Sequence, residues 1–287
     1  MSQSPVCARL LLDHIQEAFV HMWNIASNFQ ELLAARYQIG PIYGSEDICT
    51  LLYSLVRREK PEIVVELGTG MGVTTAWIAA AMKENGVGTI YTYDDGSHFE
   101  MPDVRHFLAT ALSGPIASLG QIARQGTYEE FIFSLFDLCG VREHIFLKKT
   151  RIDLDNAAAL TVDFEHKPID LLFSDYMHSP DFVHNIVRAF LPRMAGTSSI
   201  FIDSASSHVP SFLTLERMIE CFNQQKIPKR VLQGMSESDA SITRRLLSES
   251  QFRLMHLMEK RDRAQNSTSW IRIEPIDTLP PVTSFFH

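Results

Sequence analysis

Glu66, Gly68, Gly70 and Gly72 fall inside one short stretch, "VVELGTGMGVTT", residues 64–75. Glycines after a short apolar run let a ligand approach the backbone, and a helix that follows offers N–H groups at its start. That is the layout of a nucleotide-binding turn. Two details bear on which nucleotide. A dinucleotide fingerprint, G-x-G-x-x-G, needs glycine or alanine at position 73, and the chain has Val73 there. A carboxylate such as Glu66 beside a pyrophosphate would also meet like charge.

A ligand with no phosphate and a net positive charge suits the turn better. S-adenosylmethionine is one, with its ammonium and sulfonium groups. The ribose gives a second check. An acid at the end of the next strand, roughly 20 residues past the glycines, can accept both ribose hydroxyls. "YTYDD" ends in Asp94 and Asp95. Asp94 directly follows the apolar run and is the candidate, with Asp95 the second choice.

Another set of reactive side chains lies further along. "SDYMHS" (174–179) carries Asp175, Tyr176 and His178, and "IDSASSH" (202–208) carries Asp203, Ser204 and His208. A histidine beside a carboxylate can act as a general base with its orienting partner. His178 is the candidate base, oriented by Asp175 or Asp203. The competing reading is that these aspartates only cap turns. His208, like His98, His106 and His256, reads as an ordinary surface histidine.

The elements that would position these residues alternate along the chain. "EIVVEL" (62–67), "GTIYTYD" (88–94), "HIFLKK" (144–149), "IDLLFSD" (169–175) and "SIFID" (199–203) read as strands. Helices are expected over 73–83, 127–140, 180–194 and 210–224. Strands alternating with helices imply a parallel sheet covered on both faces. Two further strands, 252–258 and 268–273, are joined by a loop too short for a crossover helix, so they should pair antiparallel. Apolar residues at helical spacing over 8–37 predict N-terminal helices, and "SEDICTLLYSLVRREK" predicts another after Ser45. Residues 95–126 and 226–250 exceed a minimal plan. They read equally well as walls of the ligand site or as surface decoration or an oligomer contact. The resulting division is a helical extension over 1–44, a main domain over 45–275 and a tail over 276–287.

The bulk composition narrows the function classes. Of 287 residues, 45% are hydrophobic and 21% charged, with a net charge of −8. This is a globular composition without the basic footprint of a nucleic-acid enzyme. Cys7, Cys49, Cys139 and Cys221 stand far apart, which fits reduced thiols rather than a disulfide framework or a zinc site. Asp13, His14 and Glu17 interrupt any signal-peptide core, and no apolar run reaches membrane-spanning length. A soluble, cytoplasmic protein with no membrane and no nucleic-acid partner is expected. The apolar surplus of 1–40 predicts packing over the acceptor side of the site or against a second copy in a homodimer.

At this point "VVELGTGMGVTTAWIA" and "GTIYTYDD" resemble the first two motifs of the class I S-adenosylmethionine-dependent methyltransferases. "IDLLFSDYMHSPDFV" resembles the strand-four segment of the small-molecule O-methyltransferase-like members. The likeness covers about 44–225 and 252–273. It implies an α/β fold with a Rossmann-like, seven-stranded, mostly parallel sheet ending in an antiparallel hairpin, with helices on both faces. It also implies that Glu66, Gly68, Gly70, Gly72 and Asp175 line the cofactor and that Asp94 holds its ribose. Asp153, in "TRIDLDN", would meet the adenine amine, with Asp155 in competition. In the metal-dependent, catechol-type members an aspartate after strand four and an Asp-Asn pair after strand five hold magnesium. Asp175 and Asp203 match two of those ligands, and Ser204 stands where the asparagine would be.

The resemblance thus implies methyl transfer to oxygen or nitrogen of a small-molecule acceptor. Its acceptor end is either a magnesium site at Asp175, Asp203 and Ser204 or a histidine base at His178. The amino-methylating nucleic-acid enzymes carry a proline-containing turn after strand four, which "SDYM" lacks. Two other readings stay open. One is a NAD-linked Rossmann oxidoreductase, against which Val73 and Glu66 count. The other is a methyltransferase fold kept as a non-catalytic binding subunit.

Overall fold

The computed structural model describes residues 29–43, 46–156, 158–258 and 267–276. The expected helical stretch 8–28 and the tail from 277 lie outside these residues. Residues 29–38 are helical and are followed by a short helix, Gly40–Tyr43. The alternating part begins with α1 (Glu46–Glu59), β1 (Ile63–Leu67), α2 (Val73–Asn85) and β2 (Thr89–Asp94). Next come α3 (Pro102–Ala111), α4 (Ser118–Gln125), α5 (Tyr128–Leu138) and β3 (Ile145–Lys149). After them are β4 (Ile169–Ser174), α6 (Pro180–Phe190), β5 (Met194–Asp203) and α7 (Val209–Asn223). The chain closes with α8 (Glu237–Glu249), β6 (Ser250–Met258) and β7 (Ser267–Pro275).

The sheet order is β3-β2-β1-β4-β5-β7-β6. The first five strands in that order run parallel, and β7 pairs antiparallel with both β5 and β6. β1 is buried at every position, as a central strand covered on both faces must be. One core lies between the sheet and α1, α2 and α5, and the other between the sheet and α6 and α7. α2 is buried throughout 73–82, which suits its alanine-rich, apolar sequence. Helix starts follow local chemistry. Thr127 and Glu130 form a reciprocal capping box on α5, and Ser179 caps α6 ahead of Pro180. Strand order reverses between β1 and β4, so the carboxyl ends of these two strands border the crevice where a ligand binds in such sheets.

The two insertions have different fates. Residues 95–126 leave the carboxyl end of β2 and form α3 and α4, on the side of the crevice. Arg105 locks this pair: its Nε donates to Ala123 O at 3.1 Å, its Nη2 to Gly126 O at 2.8 Å and its Nη1 to Glu100 at 2.9 Å. The N-terminal helix is tied to it, because Gln38 Oε1 accepts from the Ser113 N–H at 2.8 Å. Residues 226–250 divide: 226–235 pack along α6, where Arg230 pairs with Asp181 in its first turn, and α8 lies at the opposite end. α8 leads into the start of β6, and Asp239 lies 3.7 Å from Arg193, next to the start of β5.

Candidate functional site

Gly68, Gly70 and Gly72 all have positive φ, at 93°, 53° and 78°. At Gly68 the restriction is also steric. A Cβ there would lie 2.8 Å from the Asp175 carbonyl oxygen, so the end of β4 rests directly on the turn. The Asp175 N–H donates to Leu67 O at 2.9 Å from the same side. At Gly70 a Cβ would meet nothing within 4 Å, which leaves an open cradle.

Below the turn, Glu66 is 0% exposed. Its Oε2 accepts from Thr75 Oγ1 and from Thr92 Oγ1, both at 2.5 Å, and its buried Oε1 has no hydrogen-bond partner. Burial pushes its pKa up from 4.5 to about 7, with Asp94 adding to the rise and the two threonine hydroxyls opposing it. A buried acceptor atom with no donor, beside an open backbone cradle, fits a cofactor that brings positive charge. Asp94 stands across the turn, where its Oδ2 accepts from the Gly70 N–H at 2.9 Å and its Oδ1 from the Gly96 N–H at 2.7 Å. Burial raises its pKa, and the two N–H groups oppose the rise. A carboxylate has about four lone-pair sites, so two remain for ribose hydroxyls.

The second-choice acids are separated by what they touch. Asp95 Oδ1 caps the Ser97 N–H at 2.9 Å, which holds its pKa down. Asp155 is ion-paired with Arg188 of α6 at 2.5 Å. Asp153 is exposed, and its Oδ1 accepts only the Asp155 N–H, at 3.0 Å. Its loop starts at the cofactor end, since the Thr150 N–H donates to Asp94 O at 2.7 Å.

At the ends of β4 and β5, Asp175 is exposed and His178 half-buried. The His178 ring meets the His208 ring edge-on, with centroids 5.6 Å apart. Burial, and then His208, lower the His178 pKa below 6.5, while Asp203 pulls the other way. The Ser211 hydroxyl donates to the His178 carbonyl oxygen, so His208 Nδ1, 2.9 Å from Ser211 Oγ, must be the donor of that pair. His208 is therefore not the ordinary surface histidine expected. It reads locally as the residue that opens α7, and its contact with His178 is a tertiary one.

Of the three expected metal ligands, two are bonded to each other. Asp203 Oδ2 accepts from Ser204 Oγ at 2.7 Å and its Oδ1 from Thr268 Oγ1 at 3.1 Å. Ser204 is buried with φ at 59°, and its hydroxyl points its proton at Asp203 rather than a lone pair at the crevice. Among the described residues no group of three His, Cys, Asp or Glu side chains could hold a metal ion. The bond between Ser204 and Asp203 speaks against the magnesium expected at Asp175, Asp203 and Ser204, for which nothing here gives support. His256 keeps its structural reading. Held by Ser206 at 2.7 Å and Glu216 at 2.8 Å, it ties β6 to the start of α7.

A family model described as a methyltransferase domain matches residues 65–205. No curated protein matches the chain. Among solved structures, the O-methyltransferase from Bacillus cereus in complex with SAH aligns over 86% of this chain and 91% of its own. It does so at 14% identity and a TM-score of 0.50, which speaks for the fold. The O-methyltransferase TomG from Streptomyces achromogenes, involved in tomaymycin synthesis and solved with SAM, aligns over 86% and 89%. Its identity is 15% and its TM-score 0.48. No described helix is long and apolar enough to cross a membrane. The methyltransferase-domain match runs from β1 to the turn after β5 on this sheet, so residues 65–205 form a methyltransferase domain.

Proposed function

We propose that the chain methylates a hydroxyl of a small-molecule acceptor, with His178 as general base and without a metal ion. The observation that carries this is the state of His178. It is half-buried in the turn after β4, with a pKa held below 6.5, so it is neutral at neutral pH and able to take a proton. The bound cofactor supplies an electrophilic methyl group on a sulfonium. His178 accepts the acceptor's hydroxyl proton as its oxygen attacks, and Asp203 offsets the charge that develops on the imidazole. Glu66 and the Gly68–Gly72 turn hold the methionine end, Asp94 the ribose and Asp153 the adenine edge. The acidic net charge and the absence of a proline turn after β4 support a small molecule over a nucleic acid. The hydroxyl acceptor agrees with the name of the Bacillus cereus neighbour. Cytoplasmic location and a homodimer made through the N-terminal helices complete the reading.

The test is SAH formation, followed by mass spectrometry across a panel of phenols and alcohols. His178→Ala should lower turnover about 10²–10⁴-fold while SAH binding is kept, and EDTA should leave the parent rate unchanged. Activity that vanishes in EDTA and returns with magnesium would overturn the metal-free mechanism.

A further inference from the structure

Tyr128 opens α5, the helix that follows the 95–126 insertion. It is 0% exposed, and its hydroxyl has no hydrogen-bond partner. The ring is well fixed. The Phe99 ring packs at 6.0 Å, and a Cβ on Gly96 would come within 2.8 Å of the Tyr128 ring carbons. Burial above all, and then the charge of Asp94, hold the phenol far above its ordinary pKa of 10. It therefore stays protonated, and it is a donor. The Thr69 hydroxyl beside it weakly favours ionisation but is outside hydrogen-bonding geometry, 2.5 Å from Thr92 Oγ1 instead.

A ribose hydroxyl both donates and accepts, whereas an ionised carboxylate only accepts. Asp94 alone can meet the donor half of the sugar and leaves the oxygen lone pairs unmet. We infer that the Tyr128 hydroxyl supplies the missing donor to a ribose oxygen of the adenosyl cofactor held at Asp94. This role rests on the cofactor reading above. If the residue served packing alone, phenylalanine would fill the place equally well, and the hydroxyl would only add an unmet polar group to the core.

Tyr128→Phe separates the two roles by sign. Calorimetry should show SAH binding weakened about tenfold, the loss of one hydrogen bond. The melting temperature without ligand should stay level or rise, because an unsatisfied buried hydroxyl has been removed. An SAH analogue lacking the ribose 2′- and 3′-hydroxyls should bind parent and variant equally. Unchanged SAH affinity in the variant would overturn the role, and so would a lower ligand-free melting temperature or failure to fold, since the hydroxyl would then serve the fold. No SAH binding by the parent chain would overturn the cofactor reading together with this role. Binding by the parent with no loss in the variant would overturn this role alone.

Discussion

At the ends of β1 and β2 the two carboxylates find their partners within one βαβ unit, whereas at the ends of β4 and β5 the polar groups also draw partners from other parts of the chain. Glu66 is bonded by Thr75 and Thr92, and Asp94 by Gly70 and Gly96, all within residues 64–96. On the other side, Asp203 meets Thr268, 65 positions on, and Ser211 reaches back 33 positions to His178. The cofactor half is one βαβ unit closing on itself. The acceptor half is assembled by the sheet. A locally closed unit should fail as a unit when its backbone is disturbed, while the assembled half should lose chemistry and keep its fold.

The largest effect on folding should therefore come from Gly68→Ala. Its φ of 93° is costly for any side chain, and the new Cβ would press on the Asp175 carbonyl at 2.8 Å. The two costs together come to roughly 2–5 kcal/mol, seen as a lower urea midpoint at constant slope. Gly70→Ala, with open space around it, should cost only the backbone strain, about 1 kcal/mol. Equal losses at the two positions would show that β4 does not bear on the turn. His178→Ala should leave the midpoint where it is.

A smaller effect concerns pH. Glu66 has its folded pKa raised from 4.5 to about 7, so the folded chain holds a proton that the unfolded chain has released. Stability of the ligand-free protein should accordingly fall as pH rises through that window and level off above it. Cofactor binding should run the other way. Ionised Glu66 attracts a cationic ligand, so S-adenosylmethionine should bind more tightly as pH climbs through about 7. Glu66→Gln should flatten both profiles. A pH-independent affinity in the parent, measured by calorimetry in buffers matched for ionisation heat, would remove Glu66 from the cofactor's charge recognition.

The same contrast explains what was legible in the sequence. The sheet, its hairpin and the turn geometry follow from patterns of a few residues. Periodicity places β1, and three glycines in eleven positions after Glu62 mark where positive φ is needed. Glu66 and Asp94 lie at fixed distances from those glycines. What could not be read depends on partners brought together by the sheet. Asp203 and Ser204 stand where the resemblance implies a pair of metal ligands, but β7 supplies Thr268 and the serine hydroxyl turns to Asp203. His208 meets His178 only because β4 and β5 are neighbours. Tyr128 follows an insertion, where a sequence pattern gives no register against the turn.

The smallest expected effect distinguishes these two views of the acceptor half. If Asp203 were a metal ligand, Asp203→Asn would abolish activity. Here the carboxylate instead accepts two hydroxyl hydrogen bonds and raises the pKa of His178 slightly against burial and His208. Removing its charge should let that pKa fall further. A general base works only when deprotonated, so its rate limb rises with pH through its pKa and flattens above it. In Asp203→Asn the limb should move to lower pH, by less than about one unit for a half-exposed pair screened by solvent. The plateau at neutral pH should stay within about twofold of the parent, since His178 is already neutral there. A pH–rate series of kcat with saturating cofactor reads both quantities. A limb displaced to higher pH would mean that Asp203 does not face His178 as a charge, and a lost plateau would restore the carboxylate to the chemistry itself.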